Sequence, residues 1–304
     1  MDITNSVVNF RRYLKRKNYS PHTVKNYLNM LQHFMRRLAV PVEEAAPRNM
    51  AGYIDFLMDK RLHPKTINCH LGGIRVFYDF LRHEEGLAIT NPVKKGTTLR
   101  LPTPLPRYLK DEEVDKFFAS ISKRRDRAIF SLMLRCGLRV EEVAHLTIDA
   151  LDLRRRRIFV YNGKGQKDRV VYISDDAYLA LDKYLRLRQK TMNKELFLVE
   201  KGTCKSQGIS VRGIQKRMEY YAKKAKLKIS CHHLRHTMAT QMLNADAELS
   251  TIQDLLGHNW ITTTQRYCTV SNLKVQRDYF KAMEAVMQRS STMGKEPGHN
   301  QLKH

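Results

Sequence analysis

Leu255-Leu256-Gly257-His258-Asn259-Trp260-Ile261-Thr262-Thr263-Thr264-Gln265-Arg266-Tyr267 is the stretch that decides how this chain of 304 residues is read. Leu249, Ile252, Leu255 and Leu256 repeat at helical spacing, and Gly257 is the residue that stops such a helix. His258 therefore stands at a helix end, and Tyr267 follows a short threonine-rich helix. Upstream, His232-His233-Leu234-Arg235-His236 opens another helix and sets His232 and Arg235 one turn apart on a shared face. Taken singly these are ordinary: a histidine after a helix stop is often a cap, and a tyrosine after a short helix is often half-buried core. Their succession along one chain is the informative feature.

Working outward, residues 101–290 alternate helix and strand signals. Helices are expected near 111–120 and 124–136, with Gly137 as a stop, then a short helix carrying Val140, Val143 and Leu146. Residues 157–161 and 169–173 are β-rich runs flanking Asn162-Gly163-Lys164-Gly165, a hairpin signal. Helices resume at about 175–190, 210–226, 232–244, 248–256 and 272–288. Residues 291–304 are polar and are expected to be a disordered tail.

Residues 1–90 read as helices throughout. Ser20-Pro21 is a hydroxyl cap followed by a proline at the first turn, where no amide hydrogen is needed. Val24, Tyr27, Leu28, Leu31, Phe34, Met35 and Leu38 then form an apolar stripe. A shorter helix covers 48–60 with Ile54 and Leu57 inward. Pro64 opens a third, with Ile67, Leu71, Ile74, Phe77, Tyr78 and Leu81 on one face. Gly72-Gly73 lies inside it and permits either close packing or a local break. Residues 91–107 hold four prolines and little periodicity, the pattern of an extended linker.

The chain carries 55 Lys plus Arg against 30 Asp plus Glu, a net charge of +25. The surplus is spread: residues 1–100 hold 17 basic and 8 acidic side chains, residues 101–290 hold 36 and 21. A compact state with that much like charge calls for an anionic partner, and nucleic acid is the usual one. The candidate phosphate contacts are Lys25 and Arg75 among the helices, Lys94 and Lys95 in the linker, and Lys167 and Arg169 beside the hairpin turn. The five cysteines are odd in number and form no C-x-x-C pair, which points to free thiols and a reducing, cytoplasmic setting. No apolar run approaches the length of a membrane span, so no membrane is expected as a partner. The histidines of 232–236 lack the spacing of a metal site, and neither a metal nor a cofactor is expected.

Cleaving a phosphodiester with a tyrosine makes specific demands. Non-bridging oxygens gather negative charge, which planar guanidiniums neutralise two at a time. The 5′ oxygen leaves poorly and needs a proton from a general acid. Arg139 and Arg235 suit the first role. Lys164 between two glycines suits the second, with Lys167 the competitor. Glu142, three residues after Arg139, can hold that guanidinium from the same helical face.

Gly137-Leu138-Arg139-Val140-x-Glu142, Gly163-Lys164-Gly165, His232-x-Leu234-Arg235-His236-Thr237 and Leu256-Gly257-His258 with Thr263-Thr264-x-x-Tyr267 together resemble the tyrosine recombinases, or phage integrase family, in their two-domain Xer-like form. The resemblance is strong over 108–288 and weaker over 1–90. It implies a mainly α fold. A four-helix core-binding, SAM-like domain (1–90) and a linker (91–107) precede an α-rich catalytic domain with a small antiparallel sheet (108–290). The two domains would close on DNA as a C-shaped clamp. It implies catalytic residues Arg139, Lys164, His232, Arg235, His258 and Tyr267, with Tyr267 the nucleophile. It implies double-stranded DNA with a specific recombination site, a homo-tetramer on two duplexes, a Holliday junction intermediate, and room for a partner recombinase or accessory protein. Integration, transposition, resolution and inversion stay open. So do two other classes: a type IB topoisomerase-like enzyme, and a non-catalytic DNA-binding protein of the same fold.

Basic residues spread over both halves predict steep salt dependence. Affinity for duplex DNA falls by roughly 10³-fold or more between 50 and 200 mM salt if 6–10 phosphates are neutralised. Filter binding across that range checks it, and residues 1–100 or 101–304 alone bind more weakly than the whole.

Overall fold

The computed structural model describes residues 2–102, 107–161 and 168–257, with residues 264, 265, 277, 279, 280, 283 and 284. The chain divides into two compact units, Met1–Thr103 and Pro104–His304. The mainly helical fold with a small antiparallel sheet expected from the sequence is the one that forms.

The first unit is built from α1 (Ile3–Arg16), α2 (Pro21–Met35), α3 (Pro47–Asp59) and α4 (Pro64–His83). Local chemistry fixes their starts. The Asp2 carboxylate accepts the amides of Thr4 and Asn5, and the Ser20 hydroxyl accepts that of Thr23. Prolines open α2, α3 and α4 at positions where no amide hydrogen is used. The helices close over Phe10, Leu14, Leu31, Phe34, Met50, Leu57, Leu71, Phe77 and Leu81, all fully buried. Helix α4 runs unbroken through Gly72-Gly73. Gly73 packs against Tyr27 and Met30 of α2, whereas Gly72 faces open space.

Residues 91–99, which read as linker, are fastened to α4 instead. Asn91 donates to the Arg75 carbonyl and to Asp79, and the Arg75 guanidinium donates to the carbonyls of Val93 and Lys94. Asn68 exchanges two hydrogen bonds with Leu99, at 2.9 and 2.8 Å. Val93 is buried in the core of the first unit. Prolines signal an extended backbone, but not whether that backbone docks. Arg75, a candidate phosphate contact, thus spends donors on this strap, while Lys94 and Lys95 stay exposed on it.

In the second unit α6 (Arg124–Arg135) is the central element, flanked by α8 (Asp175–Leu185) and α10 (Cys231–Asn244). It is buried nearly all round, including Arg125 and Asp126. That burial is tolerated because Asp126 binds both Arg125 and Arg217 at 2.7 Å and accepts the Tyr221 hydroxyl. The remaining helices are α5 (Asp111–Ser120), α7 (Val140–Ala144), α9 (Val211–Lys224) and α11 (Leu249–Leu256). Strands β2 (Arg157–Val160) and β3 (Arg169–Tyr172) form the expected hairpin, paired from Arg157↔Tyr172 to Val160↔Arg169. A third strand, β1 (Leu151–Asp152), joins β2 on its other edge. Two residues carry no alternation to read. Helix α8 ends at Leu185, short of 190, where the chain turns and Arg188 gathers the carbonyls of Asn193, Glu195 and Leu196.

Gly137 ends α6 with φ +64°, and a Cβ there would meet Leu256 at 3.0 Å and Met238 at 3.2 Å. Gly137→Ala is expected to cost at least about 1–2 kcal/mol from the left-handed backbone alone. A drop in thermal midpoint checks it; an unchanged midpoint contradicts it.

Candidate active site

The site assembles at the end of α11. Its last turn exposes carbonyls that no helical amide satisfies, and three arginines take three consecutive ones. Arg169 Nε donates to the Leu255 carbonyl at 2.8 Å, Arg235 Nη2 to that of Leu256, and Arg139 Nη2 to that of Gly257 at 3.2 Å. Arg235 Nη1 also donates to the Gly137 carbonyl, tying the end of α6 to the same place. Guanidiniums at a helix C-terminus also complement its dipole.

Gly257 adopts φ +59°, the left-handed stop read from the sequence. It serves a second purpose. A Cβ at 257 would meet the Arg169 side chain at 3.1 to 3.4 Å.

Glu142 joins two of the arginines. Its carboxylate accepts the Arg139 amide at 2.7 Å and Arg139 Nη1 at 2.8 Å, as the third residue of α7 reaching back to the residue before that helix. Arg169 completes the set side-on, with Nη1 at 2.8 Å and Nη2 at 2.7 Å. All four acceptor positions of the carboxylate are filled. Burial alone would raise the Glu142 pKa, but the Arg169 hydrogen bonds and charge, with those of Arg139, hold it down at about 2.

The structure brings together Arg139, Glu142 and Arg235 from the expected set, with Gly257 leading directly into His258. His232 is exposed on the first turn of α10, and Arg235, one turn on, is 5% exposed. His233 is the cap of its helix: its Nδ1 accepts the Ser230 amide at 2.8 Å, and burial, with Arg107 and His232 nearby, lowers its pKa. Thr237 binds the Leu109 amide at 2.8 Å, fixing the approach to α5. Lys25 is exposed on α2. Arg169, expected as a phosphate contact, has a side chain 8% exposed, with its donors turned onto Glu142 and Leu255. Lys164, Lys167, His258, Tyr267, most of the 272–288 helix and the 291–304 tail lie outside the described residues.

Residues 107–273 match the phage integrase family, and residues 7–85 match the phage integrase N-terminal SAM-like domain. The chain belongs to the phage integrase family. Tyrosine recombinase XerC of Thermodesulfovibrio yellowstonii is 34% identical over 276 residues, covering 87% of this chain and 91% of that one. Tyrosine recombinase XerA of Thermococcus kodakarensis is 32% identical, covering 91% and 96%. A lambda integrase dimer bound to a core site shares the fold, with a TM-score of 0.73 at 15% identity and full coverage of both chains. The protein is a tyrosine recombinase, an enzyme of site-specific DNA strand exchange. Among the described residues, no helix is long and apolar enough to cross a membrane.

Removing the Glu142 carboxylate strands two guanidiniums, so Glu142→Ala is expected to cost roughly 3–5 kcal/mol at neutral pH. Its folded pKa lies below the unfolded value, so this stabilisation is complete above about pH 5 and is lost as pH falls towards 2. Urea unfolding of both proteins across that range checks it: the two curves converge in acid.

Proposed function

We propose that Tyr267 attacks a DNA phosphate and forms a 3′-phosphotyrosyl bond, freeing a 5′ hydroxyl. Arg139 and Arg235 neutralise the non-bridging oxygens. His258 supports them by a hydrogen bond, and His232 is the base or orienting group. Lys164 gives its proton to the leaving oxygen. The 5′ hydroxyl of a partner strand then attacks the phosphotyrosine, which retains the bond energy, so rejoining needs no external energy source. A first pair of exchanges makes a Holliday junction and a second resolves it. The charge is handled by guanidiniums, and the scheme needs neither metal nor cofactor.

One observation carries this reading. Arg139 and Arg235, 96 positions apart, both bond to the turn that ends immediately before His258. Beyond capping that helix end, the arrangement sets two permanent positive charges beside position 258, which suits an anionic phosphate.

Two basic units suit a protein that closes on one duplex with both, including the exposed Lys25, Lys94 and Lys95. The assembly would be a homo-tetramer on two duplexes, working in the cytoplasm at the nucleoid, with a partner recombinase or accessory protein where the site requires one. Tyr279 and Phe280, stacked edge-on at 5.5 Å and about 60% exposed, are apolar surface that a neighbouring protomer could cover.

Two experiments test the roles. Tyr267→Phe removes only the nucleophile, so DNA affinity persists while the covalent adduct disappears from denaturing gels; an adduct formed by the variant refutes the assignment. Lys164→Ala loses roughly 10²–10⁴ in cleavage of ordinary DNA. It recovers most of that on DNA whose bridging 5′ oxygen is replaced by sulfur, a leaving group that needs little protonation. Arg139→Ala is not rescued, and Lys167→Ala is mild on both substrates. Rescue of Lys167→Ala instead moves the proton donor to Lys167.

A further inference from the structure

We propose that Arg169 is a positioning residue for the strand-cleavage reaction, acting on Arg139 through Glu142 and on the end of α11 through Leu255. This rests on the function proposed above and adds to it a residue that touches no DNA.

Three observations lead there. The Arg169 guanidinium lies side-on to Glu142, with two bonds of 2.7 and 2.8 Å, leaving the same carboxylate's remaining acceptor positions to Arg139. Its Nε reaches the Leu255 carbonyl, two residues before the carbonyl that Arg139 binds. Its Cδ and guanidinium crowd the space a side chain at 257 would need. One residue, the first of β3 and opposite Val160 at the end of β2, thereby sets α7, the end of α11 and that end of the strand pair relative to each other.

The geometry also explains why an arginine stands there. A lysine carries the same charge but no planar fork, and cannot engage two carboxylate oxygens and a carbonyl at once. With a single ammonium at 169, Glu142 keeps its ionisation but loses its fixed plane. Arg139, bound to that plane through Nη1 and its own amide, loses its orientation too. Misplacement of a catalytic group by about 1 Å is enough to lower a rate about a hundredfold.

The test is Arg169→Lys in the full chain, measured on a nicked suicide duplex whose cleaved strand cannot rejoin, so that slow reactions accumulate over hours. The expected result is a single-turnover cleavage rate lowered by about tenfold to a hundredfold. DNA affinity and its salt dependence stay those of the parent. In an Arg139→Ala background, adding Arg169→Lys lowers the residual rate by clearly less than it lowers the parent's, because the route through Glu142 to Arg139 is gone and only the one through Leu255 remains. Weaker binding with a salt slope reduced by about one would make Arg169 a phosphate contact and overturn the proposal. Equal losses in both backgrounds would make it a general support of the fold, and an unchanged rate would remove the role altogether. Where Arg169→Lys fails to fold, Arg169→Gln, which keeps the Arg139–Glu142 pair, replaces it with the same expectations. Tyr267→Phe in the same assay reads the proposed function separately: its adduct must vanish whatever Arg169 does.

Discussion

A carboxylate with every acceptor position filled is the constraint on which the rest of this site depends. Glu142 cannot move without breaking bonds to Arg139, to the Arg139 backbone and to Arg169. Guanidiniums gathered in one place repel each other and are long enough to scatter. A buried anion between two of them removes part of the repulsion and dictates their planes. The carbonyls at the end of α11 do the same from the other side, accepting from Arg169, Arg235 and Arg139 in succession. In the proposed function, charge that is to meet a phosphate is thus held in place before the phosphate arrives, which is how a preorganised site stabilises charge as it develops.

The same logic separates the two kinds of basic residue in this chain. Arg125 and Arg169 are buried and bound to carboxylates or carbonyls, and they shape the protein. Lys25, Lys94 and Lys95 are exposed, and their charge is available to a polyanion. A surplus of 25 positive charges is therefore partly structural and partly addressed to DNA.

What the sequence made legible was local. Ser20-Pro21, Pro64 and Gly257 mark helix ends by their own backbone chemistry, and those ends fall where they were read. The strand pair was legible because two β-rich runs flank Asn162-Gly163-Lys164-Gly165 in the sequence, and those runs pair. Glu142 was legible as a partner of Arg139 because three residues on a helix bring them together. Distance along the chain hid the rest. Arg169 sits in a basic stretch and reads as a phosphate contact, yet its partners lie 27 and 86 positions away. The strap at 91–99 reads only as an extended linker because the side chains that fasten it, Asn68 and Arg75, belong to α4. Strand β1 escapes because its pairing partner, not its own two residues, makes it a strand.

The most direct measurement is a crystal structure of the protein trapped on a suicide DNA substrate. The account predicts a phosphate joined to the Tyr267 oxygen, with Arg139 and Arg235 in hydrogen-bond contact with its other oxygens. Glu142 would still be bound to both Arg139 and Arg169, and no phosphate would lie within reach of Arg169. A phosphate carried by another residue, or Arg169 released from Glu142 to meet the DNA, would contradict it.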